Sequence, residues 1–248
     1  MRPIGFSTGA LAYGDFRKGL AILRGKHTTT LELSALRENE LAPLVAALDS
    51  LDLSGYTYIS VHAPSKFRVE DEPAIVGLLG VVASRGWPIV LHPDAIRNAA
   101  GWRSFGPLLL IENMDKRNIS GRTVRELSEI FAELPQAGLC FDVGHCRQVD
   151  PTMNEAHLIL RAFGDRLRQL HISEVNSRST HDPLSSAAID AFRAVASLVP
   201  ENIPVILESP VREEDVGREV EQARLALPVL PTGSWARARS ADLHSAIA

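Results

Sequence analysis

Along the chain, short apolar or β-branched runs alternate with stretches whose apolar residues recur every three or four positions. Eight runs stand out: PIGFS (3–7), TTLELS (29–34), YTYISVH (56–62), WPIVLH (87–92), PLLLIE (107–112), AGLCFD (137–142), LRQLHI (167–172) and IPVILE (203–208). Each is too short for a core helix and long enough for a strand. Between them, ENELAPLVAALDSL (38–51), TVRELSEIFAEL (123–134) and SAAIDAFRAVASLV (186–199) place apolar residues at i, i+3, i+4 and i+7. That spacing predicts helices with one buried face. The segment DAIRNAAGWRSFG (94–106) is the weakest helix of the set.

Strands alternating with helices imply parallel pairing through right-handed crossovers. Eight such units in 248 residues predict an α/β protein with a closed (β/α)8 TIM barrel as a single domain over residues 1–228. Residues 229–248, beginning VLPTGSWARARS, leave the pattern and read as a tail or a short extra helix. No G-x-G-x-x-G fingerprint follows the first run, which removes the main reason to expect a dinucleotide fold.

Composition narrows the functional classes. Apolar residues make up 45% and charged residues 23%, an ordinary globular balance, and the net charge of −4 argues against a basic nucleic-acid surface. The only cysteines are Cys140 and Cys146, so no disulfide framework is expected and a reducing compartment is the default. The N-terminus has no apolar core of signal-peptide type, and the weakly polar run 73–83 falls short of a membrane span. These features predict a cytoplasmic protein acting on a small molecule, away from membranes.

The strand ends carry the chemistry. In a TIM barrel the active site forms at the carboxyl ends of the strands. Here His62, His92, Glu112, Asp142 and Glu208 close their runs, His171 stands at the end of its run one residue before Ile172, and His145 lies three residues past Asp142 in the stretch LCFDVGHC. One histidine or carboxylate at a strand end is usually a hydrogen-bonded core residue or a helix cap. Seven at one end of one barrel call for another explanation. Period-2 alternation places Leu108, Leu110 and Glu112 on one face, and Pro204, Ile206 and Glu208 on another. Glu112, Asp142 and Glu208 then converge, joined by Glu32 from the second run, while no Lys or Arg ends any run. Uncompensated buried carboxylates cost several kcal/mol each, so they are either protonated or gathered around a cation. Carboxylates mixed with imidazoles suit a divalent ion, Mn²⁺ or Zn²⁺. Cys140 shares the inward parity of Asp142 and reads as core packing; Cys146 is a ligand candidate the site does not need.

The ordered set Glu112, Asp142 with the following VGH, His171 and Glu208 resembles the xylose isomerase-like TIM-barrel superfamily over roughly residues 3–227. That superfamily includes sugar isomerases and epimerases and the endonuclease IV type. The resemblance implies that Glu112, Asp142, His171 and Glu208 ligate the metal and that His145 lines the site. In the isomerase branch it further implies that Glu112 and Glu208 serve as acid and base. In the endonuclease IV branch it implies that His62 and His92 help hold a multinuclear zinc site. The segment SRSTHDP (177–183) lies where that branch adds an Asp and a His, but here His181 and Asp182 are adjacent and in reversed order. His62, His92, His145, Glu174, His181, Asp182 and Glu32 are thus candidates for a second metal or for substrate contacts. The acidic charge and short βα loops favour a divalent-metal-dependent isomerase or epimerase of a small sugar or polyhydroxy carbonyl compound, with one metal. The alternatives are an endonuclease IV-like multinuclear zinc phosphodiesterase and a non-catalytic metal- or sugar-binding barrel.

Overall fold

A computed structural model of the chain describes residues 2–229. Most of the expected tail, residues 230–248, therefore lies outside the described residues. Eight parallel strands form the barrel: β1 (Ile4–Ser7), β2 (Thr30–Ser34), β3 (Tyr58–His62), β4 (Ile89–Leu91), β5 (Leu109–Glu112), β6 (Gly138–Asp142), β7 (Leu167–Ile172) and β8 (Val205–Leu207). Each pairs with its sequence neighbours, and β8 returns to β1 through Ile4↔Val205 and Phe6↔Leu207, which closes the sheet. The architecture is the (β/α)8 barrel that the sequence pattern predicts.

Every strand falls within its predicted run, and the differences lie at the ends. His92 and Glu208 stand one residue beyond β4 and β8. Leu108 belongs to a 3-10 turn, Gly106–Leu108, so the inward face of β5 starts at Leu110. The helices are shorter than the periodicity suggests. The first of those named ends at Ala47 and continues as a 3-10 turn, Leu48–Ser50. Residues 124–133 form a helix capped by the Thr123 hydroxyl, which accepts from Glu126 N at 3.3 Å. The weakest candidate shrinks to Ala99–Arg103, started by Asn98.

Alternation along the strands sorts two cores. Outward residues such as Leu109, Ile111, Leu139, Phe141, Leu170 and Ile172 join one large cluster between sheet and helices. Inward residues Val90, Leu110 and Cys140 form a small separate cluster inside the barrel. Above and beside that plug the interior turns polar, with Glu32, Ser60, Glu112, Asp142, Gln169 and His171 all fully buried. Cys146 sits in the large outer cluster and takes no part in the site.

The β6 end is held from two directions. Asp142 starts the helix Val143–Val149 by accepting from His145 N through Oδ1 at 2.6 Å. Gly144, in its first turn, lies so close to the Ser173 carbonyl after β7 that an added Cβ would collide with that oxygen, and would also meet Val175 Cγ2 at 3.0 Å. Because the obstacle is backbone, a shift is needed. Gly144→Ala should destabilise the protein by about 1–3 kcal/mol, an overpacking cost. Thermal unfolding should read this as a Tm lowered by roughly 2–4 °C per kcal/mol in a domain of this size. A variant that melts with the wild type would contradict this reading of the turn.

Candidate metal centre

At the carboxyl end of the barrel, strands from opposite sides aim acidic and imidazole side chains at one point. Glu112 stands at the centre. Its Oε2 lies 3.1 Å from His62 Nε2 and 3.2 Å from His92 Nε2. Its Oε1 lies 3.2 Å from His171 Nδ1 and 3.4 Å from His145 Nδ1. One carboxylate therefore serves both halves of the site. Among the described residues, three groups bring donor atoms within 4.8 Å of one another: His62, His92 and Glu112; Asp142, His145 and His181; and Glu112, Asp142, His171 and Glu208. Glu112 links the first group to the third, and Asp142 links the second to the third.

The donor atoms are oriented from behind. His62 turns Nδ1 to the Ala63 carbonyl at 2.9 Å, which leaves Nε2 facing Glu112. His181 holds Nδ1 against Ser173 Oγ at 2.7 Å. Its loop is fixed by Gln148, which bonds to Ser179 Oγ at 2.7 Å. Asn113, the residue after Glu112, clasps the end of β6: its Nδ2 donates to Asp142 O and its Oδ1 accepts from Asp142 N, both at 2.8 Å. The Asn113 carbonyl meets His145 Nδ1 at 3.0 Å.

Charges so close without a Lys or Arg shift one another strongly. Burial alone would raise Glu112, but the neighbouring His171 and His92 and the hydrogen bonds from His171 and His62 hold it well below the usual carboxylate range. Burial pushes Glu208 the other way, to about 8, with help from the negative charges of Glu112, Asp142 and Glu32. His62 resists its burial through the Glu112 hydrogen bond and the surrounding carboxylates and rises to about 9. His181 falls to about 4, driven by burial and by the positive His145 beside it.

A divalent ion fits these donors. Asp142 spends Oδ1 on the helix cap, while its Oδ2 is buried with no hydrogen-bond partner. A bare carboxylate oxygen among imidazole nitrogens is a position that a cation relieves. The mixture of histidine nitrogen and carboxylate oxygen suits zinc or manganese.

Most sequence-derived candidates meet here, and three do not. Glu174 turns away to Arg147, 3.0 Å from its Oε1, and accepts from Ser185 N. Asp182 accepts from Asn176 Nδ2 at 2.8 Å and belongs to no donor group. It lies in an antiparallel ribbon of Glu174–Val175 and His181–Asp182, where alternate residues face opposite sides, so His181 enters the site and Asp182 leaves it. Glu32 points inward as expected, but below the centre, where it contacts His171 Nε2 at 3.1 Å. Asn113, Ser173 and the rim of the pocket carry no signal in the strand-end pattern. That pocket, about 400 Å³, opens above the donors and carries Lys66 from the loop after β3 and Arg117 and Asn118 from the loop after β5.

Residues 94–230, more than half of the chain, match the family model described as xylose isomerase-like TIM barrel. The chain belongs to that family. No curated protein matches it. Solved structures similar to it include endonuclease IV from Thermus thermophilus (19% identity, 92% of this chain and 99% of that one, TM-score 0.59). A xylose isomerase-like TIM barrel protein from Mycobacterium smegmatis in complex with magnesium is also similar (12% identity, 92% and 97%, TM-score 0.57). So is 3-keto-D-glucoside 4-epimerase from E. coli (16% identity, 91% and 99%, TM-score 0.50). At these identities the likeness shows the shared barrel.

The shifts set the pH response of the metal-free protein. His62, raised from 6.5 to about 9, contributes stability that is complete below 6.5 and lost as pH rises through 9. Glu208, raised from 4.5 to about 8, keeps its proton in the folded state while the unfolded chain has lost it, so it also weakens folding as pH rises toward 8. Chelator-treated protein should therefore show a falling Tm from pH 6.5 to 8. Zinc or manganese should raise Tm at every pH, and more at pH 8, because binding releases ligand protons. A metal-free Tm that rises over this window, or no response to metal, would contradict the electrostatics described.

Proposed function

We propose that this barrel is a divalent-metal-dependent hydrolase of phosphate esters whose centre holds more than one ion. The observation carrying this reading is the division of Glu112: one oxygen faces His62 and His92, the other faces His171 and His145. A single ion among Glu112, Asp142, His171 and Glu208 uses only one side of that carboxylate and leaves two histidines on the other without a task. Paired ions, when bound, supply hydroxide at neutral pH and neutralise charge on a phosphoryl group.

The chain's own residues complete the site. Lys66 and Arg117 line the pocket beside its histidines and carboxylates, and the exposed Lys66 in particular favours an anionic substrate. Arg117 is held by an ion pair with Asp115, whose Oδ2 lies 2.9 Å from its Nε and 2.7 Å from its Nη2, so its guanidinium is fixed in place at the pocket wall. The buried floor keeps bulk water away from the donors and strengthens every charge interaction there. The magnesium complex of one similar barrel and the nuclease name of another are in keeping with this reading.

A sugar isomerase or epimerase is the second reading, and one feature favours it. Glu112 is pushed down and Glu208 up to about 8, the divergence expected of a base and an acid facing one substrate. The similar epimerase barrel is in keeping with it.

Elemental analysis and turnover separate the two. Protein purified without added metal should carry more than one ion per chain, and the His62→Ala/His92→Ala variant should lose part of that content. Hydrolysis of phosphomonoester, phosphodiester and abasic-DNA substrates should include at least one positive, reduced ~100-fold or more in the variant, the scale of losing a charge-stabilising group. A single ion per chain that survives the double substitution, together with solvent deuterium entering a sugar beside its carbonyl, would overturn the hydrolase in favour of the isomerase.

A further inference from the structure

Beneath the metal centre lies a buried polar layer that neither reading of the reaction uses. It runs across the barrel from β3 to β7. Tyr58 Oη donates to Gln169 Oε1 at 2.7 Å. Gln169 Nε2 donates to Glu32 Oε2 at 2.7 Å. Ser60, paired in register with Glu32, donates to the same oxygen at 3.1 Å. His171 Nε2 reaches it too, at 3.1 Å. Glu32, Ser60, Gln169 and His171 are all fully buried.

The protons in this layer determine what His171 offers above it. Its Nδ1 faces Glu112 and Glu208, and its Nε2 faces the layer. To ligate a metal through Nδ1, the ring must keep its proton on Nε2. Two neighbours compete for Nε2. Glu32 is an acceptor that favours the Nε2–H form. Gln169 Nε2, 2.8 Å away, is a donor that favours a bare Nε2 and would force the proton to Nδ1. Flipping the Gln169 amide would not remove the conflict, since its oxygen would then face Glu32 Oε2. The charged acceptor makes the stronger bond. Gln169 can turn its second hydrogen to Cys140 Sγ, 3.6 Å away.

We propose that Glu32 is a positioning residue. By accepting the Nε2 proton of His171 it holds the ring in the form whose Nδ1 can bind a metal, and Ser60, Gln169 and Tyr58 fix the carboxylate in place. The proposal rests on the reading of the centre as a metal site, and it extends that reading to a residue that touches neither metal nor substrate. Loss of such an outer partner typically weakens metal binding by 10- to 100-fold.

The test combines nitrogen-15 NMR of the histidines in the full chain with zinc titration. In wild type, metal-free or zinc-loaded, His171 should retain a hydrogen-bonded Nε2 proton. In Glu32→Gln, which keeps size and removes charge, the zinc dissociation constant should rise by about 10-fold or more in protein whose metal-free form is still folded. In Glu32→Gln/Gln169→Met the Gln169 hydrogen no longer competes for Nε2 and the new amide oxygen at position 32 can accept its proton, so zinc affinity should recover toward wild type. A merely structural Glu32 would not be rescued by a second core substitution. Wild-type His171 with a bare Nε2, or a folded Glu32→Gln that binds zinc as tightly as wild type, would overturn the proposal. If Glu32→Gln fails to fold, or wild type binds no zinc, the proton measurement on wild type decides: an Nε2–H held by Glu32 sustains the positioning role and a bare Nε2 ends it. Absence of zinc from wild type would separately overturn the metal-site reading.

Discussion

The upper half of this barrel depends on one constraint: several buried carboxylates must share a small volume without help from Lys or Arg. Glu32, Glu112 and Asp142 are fully buried and Glu208 nearly so, and among the described residues their charged neighbours are histidines. The desolvation of each would cost several kcal/mol if it stood alone, a large part of the stability of any domain. The fold answers with imidazoles, which can hold protons when no ion is present and release them to bind one. This is why the same residues push each other's proton affinities in opposite directions and also form overlapping groups that could hold a metal ion.

The constraint organises the layers around it. The outward faces of the strands supply the continuous apolar core, which leaves the inward faces free to be polar. Val90, Leu110 and Cys140 plug the interior, Glu32, Ser60 and Gln169 form a hydrogen-bonded floor, and the donors stand on top. Asp142 joins the levels. One of its oxygens caps a helix, the other is left bare for the centre, and Asn113 clamps its backbone to the neighbouring strand. The two readings of the LCFDVGHC stretch, helix cap and cation donor, fall on different oxygens of Asp142: Oδ1 caps the helix, and Oδ2 is left without a hydrogen-bond partner.

Much of this was legible in the sequence because period-2 alternation tells which face a strand residue takes. It placed Leu110 and Glu112 inside the barrel and read eight strands from eight runs. Alternation does not tell depth. Glu32 and Ser34 share a face of β2, but Glu32 lies two residues from the strand end and so one layer lower, below the centre it was expected to join. Beyond the strands the rule changes hands. Glu174 follows a turn that sends it toward Arg147, and the short ribbon separates His181 from Asp182. Asn113 acts through backbone groups and leaves no periodic trace, and Lys66 and Arg117 reach the pocket from loops whose paths no pattern encodes.

The proposed hydrolase requires Glu112 to serve ions on both its sides. Crystals grown with zinc, measured on both sides of the zinc absorption edge, locate the ions directly. The division of the carboxylate predicts anomalous peaks beside both oxygens, one toward His62 and His92 and another toward Asp142, His171 and Glu208. Their separation should be about 3.5–4 Å, as in other two-metal hydrolytic sites. A single peak confined to the Asp142 side, or no peak within the pocket, would contradict it.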